Sequence, residues 1–89
     1  MNTRDSIERF ILDELVPGGT RSSIDPDEPL VSGGILDSLG LLRLMTFLEE
    51  QFGLTVGDGE VGSENFETLA KISSFVERKR LEVGAGRVT

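Results

Sequence analysis

Apolar residues recur at helical spacing in three stretches of the chain, separated by two segments rich in Gly, Pro, Ser and Asp. In the first stretch Ile7, Phe10, Ile11 and Leu15 share one face, which predicts a helix from about Arg4 to Val16. Thr3 stands where a capping hydroxyl belongs, with Asp5 and Glu8 on the favourable side of the helix dipole. Pro17-Gly18-Gly19 ends this helix. Leu41, Leu44, Met45, Leu48 and Phe52 repeat as a core face and predict a second helix from Ser38 to Phe52, closed by Gly53. Leu69, Ile72, Phe75 and Val76 mark a last helix from about Thr68 to Leu81, with Lys79 and Arg80 complementing its C-terminal dipole. Between these, Leu54-Thr55-Val56 predicts an extended stretch and Ser63-Glu64-Asn65-Phe66 one short helical turn. The expected fold is all-α, a small antiparallel bundle of three main helices plus one short helix. It forms a single domain over residues 1–83, with 84–89 as a flexible tail.

Residues 17–37 make a long loop between the first two helices, and loops of that length are usually functional or disordered. Leu30, Val31, Ile35 and Leu36 argue for order, because they can pin the loop to the core. Asp25, Asp27 and Glu28 stand among prolines and read as turn formers. Asp58, Glu60 and Glu64 lack the ligand order of a calcium loop and read as solvated, so no metal site is expected. The five phenylalanines read as core.

Composition narrows the chemistry. Sixteen acids against nine bases give a net charge of −7, which repels nucleic acid and anionic membranes and suits basic partner surfaces. With no His and no Cys, the usual general base and the thiol nucleophile are both missing. No apolar run approaches a membrane span, which makes a cytoplasmic monomer the expectation. One feature remains: Gly34-Ile35-Leu36-Asp37-Ser38-Leu39 places a hydroxyl where a loop becomes a helix. Taken alone, Asp37-Ser38 reads as an ordinary helix cap. A phosphate on Ser38 would also meet unpaired N–H groups and the positive end of the dipole. Nothing nearby makes this serine a catalyst, so a site of modification and not an enzyme is expected.

The linked segments Leu30, residues 34–39, Leu44, residues 47–54 and residues 65–72 together resemble the acyl and peptidyl carrier protein family. The resemblance implies that a phosphopantetheinyl transferase moves a phosphopantetheine arm from coenzyme A to Ser38. The arm then holds cargo as a thioester, and a cofactor supplies the sulfur that the chain lacks. On this resemblance Asp37 and Leu39 serve transferase recognition, while Ile35 and Leu36 support the loop. Leu42, Arg43, Thr46, Glu49 and Glu50 form the face for partner enzymes, with docking brief and salt-sensitive. Fatty-acid carriers present acids where this chain has Gly40 and Arg43. Arg43 reverses a local charge, and Gly40 reflects either close approach of a partner backbone or tolerance at an exposed site. These departures imply a discrete carrier of a specialised pathway, loaded with an aminoacyl or aryl group by an ATP-dependent adenylating ligase and served by tailoring or condensing enzymes. A fatty-acid or polyketide carrier is the alternative within the family. An unmodified acidic helical adaptor is the alternative outside it.

Overall fold

The computed structural model describes residues 2–16, 18 and 21–86. Four α-helices form the framework: α1 (Thr3–Phe10), α2 (Ser38–Phe52), α3 (Ser63–Phe66) and α4 (Leu69–Gly86). Among the described residues there is no strand, and the expected all-α bundle of three main helices and one short one is what forms.

The N-cap of α1 is Asn2, whose side chain accepts from Asp5 N–H at 2.8 Å; the expected cap, Thr3, lies inside the helix. Thr3 Oγ1 donates instead to Glu77 on α4. Beyond Phe10 the chain continues as a π-helical turn, Ile11–Leu15, in which Val16 N–H donates to Ile11 at 2.9 Å. The wider turn keeps Ile7, Ile11 and Val16 all in the core. Glu8, placed by its sequence in the first turn, reaches across to accept from Ile24 N–H at 2.7 Å and ties the long loop to α1.

Contacts between the helices fix their directions. Phe10 stacks on Phe47 with ring centroids 4.3 Å apart, and Arg43 bonds Glu14, so α1 and α2 run antiparallel. Arg80 lies over the ring of Phe52 at the far end of α2, so α4 runs alongside α2 and antiparallel to α1. The core comprises Ile7, Ile11, Leu44, Leu48, Ile72, Phe75 and Val76 from the helices, together with Ile24, Leu30 and Leu36 from the loop. Of the phenylalanines, Phe66 and Phe75 are buried, and Phe10, Phe47 and Phe52 are half-buried against the core. Gly53 closes α2 at φ 66°, a left-handed conformation that glycine adopts without penalty.

Helix α4 extends to Gly86, beyond the expected end at Leu81, so Lys79 and Arg80 are not in its last turn. Lys79 pairs with Glu60 and Arg80 with Glu77, which replaces the expected dipole role. Glu60 is therefore not merely solvated. It accepts from Gly57 N–H and from Lys79, and the two bonds, the backbone one foremost, hold its carboxyl below the usual range. Residues 87–89 of the expected tail, and Pro17 and Gly19 at the end of α1, lie outside the described residues.

Candidate functional site

The approach to Ser38 is built by the loop from residue 30 to residue 37. Leu30 and Leu36 are buried, Ile35 is half-buried, and Leu36 N–H donates to Leu30 at 2.9 Å. Leu30 N–H in turn donates to the Glu67 carbonyl. The Glu67 side chain accepts from the N–H groups of Val31 and Ser32, both at 2.9 Å, and from the Ser32 hydroxyl. These bonds, led by the Ser32 hydroxyl, hold the Glu67 carboxyl below the usual carboxylate range. Earlier in the loop, Asp25 Oδ1 accepts from Asp27 N–H as the expected turn former, while Glu28 pairs with Arg21, whose hydrogen bonds lower its pKa. Gly34, at φ 89°, makes the bend that turns the chain toward α2.

At the start of α2, Asp37 is the N-cap: its Oδ1 accepts from Gly40 N–H at 2.7 Å. Ser38 is exposed, and its hydroxyl has no hydrogen-bond partner among the described residues. The N–H groups of Ser38 and Leu39 are likewise unbonded there, since the cap satisfies only Gly40 and Leu41. An anionic phosphodiester on Ser38 fits this end of a fifteen-residue helix, with two free donors and the positive end of the dipole beside it.

Leu39 and Leu42 are 65% and 57% exposed, which leaves two large apolar side chains in water one helical turn apart. Thr46 and Glu50 are exposed on the same helix, with the Thr46 hydroxyl turned back to the Leu42 carbonyl. Glu49 faces elsewhere. It is half-buried and accepts from Val56 N–H at 2.8 Å, latching the stretch after α2. Arg43 is exposed but paired, donating to the Glu14 carbonyl at 3.1 Å and to its carboxylate at 2.9 Å. Gly40 corrects both sequence-based expectations, because it is buried: a Cβ there would lie 3.1 Å from Asp37 Oδ1 and 3.6 Å from the Ile35 carbonyl. The close approach comes from the chain's own cap and loop.

Two openings flank the serine. A cavity of about 530 Å³ lies against Leu39, Gly40 and Arg43, and a cleft of about 390 Å³ against Ser38, Leu41, Leu42 and Met45. At 3.6 residues per turn these are opposite faces of α2. The tertiary hydrogen bonds of Glu8, Glu14 and Glu67 have no signature in the sequence, which places Glu8 only in a first helical turn. Their partners lie 16, 29 and 35–36 residues away, beyond any local pattern.

A small helical bundle that displays an unbonded serine hydroxyl at a helix start has the form of a carrier. Residues 18–76 match the family model described as "Phosphopantetheine attachment site", and the chain belongs to this family. Phosphopantetheine is therefore its cofactor, and carrier proteins of this family in general work with phosphopantetheinyl transferases and partner enzymes. The D-alanyl carrier protein of Streptococcus suis (strain 98HAH33) is 44% identical over 50 residues, which are 56% of this chain and 63% of that protein. In that match the chain thus spans less than two thirds of the relative's length. The acyl carrier protein of Solidesulfovibrio magneticus is 28% identical over 82 residues, 92% of this chain and 100% of that protein. A solved structure described as "Crystal structure of FAD-dependent dehydrogenase" contains a chain with TM-score 0.71 and 30% identity. That match covers 79% of this chain and 97% of the other. Among the described residues, no helix is long and apolar enough to cross a membrane.

Proposed function

We propose that Ser38 bears the arm and that the chain is a cytoplasmic carrier of a specialised pathway. It receives an aminoacyl or aryl group from an ATP-dependent adenylating ligase and presents it to tailoring or condensing enzymes. The observation that carries this reading is the exposed, unbonded hydroxyl of Ser38 beside two free N–H groups. In attachment, Ser38 Oγ forms the new bond to phosphorus and its proton passes to a base on the transferase. The phosphoanhydride bond of coenzyme A breaks, and adenosine 3′,5′-bisphosphate leaves. Asp37 holds the helix end rigid through Gly40, and Leu36 anchors the loop from below. Leu39 and Leu42 offer the apolar contact that a transferase or partner enzyme covers. The bound arm supplies the thiol on which cargo is held.

The relatives named D-alanyl carriers support an aminoacyl cargo. The match to a chain within a structure described as an FAD-dependent dehydrogenase supports a tailoring step on carrier-bound cargo. The apolar cleft beside Ser38 favours the second reading, an acyl carrier for fatty-acid or polyketide synthesis. Intact mass after incubation with coenzyme A and a broad-specificity transferase tests the assignment. One added phosphopantetheine is expected on the wild type and none on Ser38→Ala, with equal helical circular dichroism. Addition to Ser38→Ala would overturn the choice of residue, and no addition to folded wild type would make the unmodified adaptor the reading.

A further inference from the structure

The two residues that depart from the fatty-acid pattern, Gly40 and Arg43, line the same cavity on the α1 side of α2. Gly40 shapes its wall by what it lacks. A Cβ there would stand 3.1 Å from Asp37 Oδ1 and 3.9 Å from Leu15 Cδ1, in the space between helix and loop. Arg43 crosses the opening to Glu14, which stands on the π-helical turn, a distortion often found at functional sites. Leu15, Val16, Ile35 and Leu39 supply its apolar lining. The rim carries charge.

The state of those rim charges decides what the cavity accepts. Glu14 offsets Arg43 and Glu28 offsets Arg21, which leaves Asp37 as the carboxylate of the lining without a cationic partner among the described residues, and Glu14 as a further acceptor that also holds Arg43 aside. Glu14 uses Oε1 for Arg43, and Asp37 uses Oδ1 for Gly40 N–H. The second oxygen of each carboxylate has no partner among the described residues. The cavity therefore offers free acceptors beside an apolar lining, at a volume of about 530 Å³ that suits a small ligand. The opposite cleft is lined by Leu41, Leu42, Met45 and Val61, with Asp58 as the one charged side chain among the described residues there, and suits an alkyl chain.

Resting on the reading that Ser38 bears the arm, we infer that this cavity receives the tethered cargo and that the cargo is an aminoacyl group. Its ammonium meets the free carboxylate oxygens of Glu14 and Asp37, and its side chain lies on Leu15, Val16 and Ile35. The arm is longer than the roughly 10 Å diameter of a helix, so a group attached at Ser38 reaches either side of α2. Gly40 and Arg43 then serve cargo accommodation as well as any docking role.

The experiment loads the protein through a transferase with coenzyme A analogues bearing alanyl or octanoyl groups in amide linkage, and compares ¹H–¹⁵N spectra with the unloaded holo form. Alanyl loading is expected to move the signals of Leu15, Gly33, Gly34 and Gly40 and to leave Met45 and Val61 in place; octanoyl loading does the reverse. Lifetime of the alanyl thioester is the second readout. Cargo that spends about nine tenths of its time in the cavity hydrolyses about tenfold more slowly than free cargo. Glu14→Gln, which keeps the shape and removes the charge, and Gly40→Leu, which fills the wall, are each expected to erase that protection. Alanyl shifts at Met45 and Val61, or an unchanged lifetime in Glu14→Gln, would overturn the cavity assignment while the carrier reading stands. Absence of any mass increment would instead overturn the Ser38 reading, and this inference with it.

Discussion

Leu36→Ala is the sharpest test of how the loop holds Ser38 in place. Leu36 is 1% exposed, and its N–H closes a bond to Leu30 two residues before the modified position. Truncation to alanine removes three carbons, a transfer loss of about 2.4 kcal/mol at roughly 0.8 kcal/mol per buried methylene. The cavity left behind raises the total to about 3 kcal/mol. In a domain of this size that corresponds to a fall in melting temperature of about 12–24 °C. Ile35 is half-buried, so Ile35→Ala costs about half as much. Urea and thermal unfolding followed by circular dichroism give both numbers, and transferase rates below the transition show whether the loosened loop slows arm attachment. A loss below about 1 kcal/mol for Leu36→Ala, or equal losses for the two variants, would refute the claim that Leu36 anchors the loop.

Asp37→Ala removes the cap on Gly40 and is expected to cost about 1 kcal/mol, whereas Asp37→Asn keeps the cap and loses only the charge. Steady-state transferase kinetics on Asp37→Asn then isolate recognition, and a wild-type rate would limit Asp37 to capping. The carboxyls of Glu28, Glu60 and Glu67 all have folded-state pKa values lowered by hydrogen bonds. Their stabilisation is therefore complete above the unfolded value of about 4.3 and disappears as pH falls through the folded values. Urea midpoints are expected to hold from pH 7 to about 5 and then drop, with a shallower acid limb in Glu67→Gln; an identical limb would remove Glu67 from the account. Arg43→Glu breaks the contact with Glu14 and restores an acid, so charging by a fatty-acid-type ligase is expected to speed up, most at low salt. No change over a range of salt would exclude Arg43 from docking.

The helices were legible because burial imposes a period. Leu44 and Leu48, Ile72 and Val76 recur at the spacing that one buried face requires, and Gly53 marks its own stop. The serine and its cap were legible for a related reason, since capping is local chemistry within four residues. What could not be read was set by contacts distant in sequence. The π-helical turn moves the buried position from the expected Leu15 to Val16, a shift of one residue that nothing in Ile11–Leu15 announces. The glycines after Leu81 suggested a stop that the helix passes through to Gly86. For Gly40 the sequence offers only a partner's backbone or an exposed site, because neither the loop carbonyl of Ile35 nor the side chain of Leu15 can be placed beside it from sequence.

Glu8, Glu49 and Glu67 each reach from a helix or its edge to backbone N–H groups of a neighbouring irregular segment. Part of the acidity of this chain is thus internal carpentry. A protein engineer who neutralised acids to raise the isoelectric point, or to retune partner choice, would have two kinds of glutamate to tell apart. Glu50 and Glu64 are exposed and make no hydrogen bond to the rest of the chain among the described residues, so they are open to exchange. Substitution of Glu8, Glu49 or Glu67 would instead unlatch a connecting segment, and for Glu67 that segment is the one leading into Ser38.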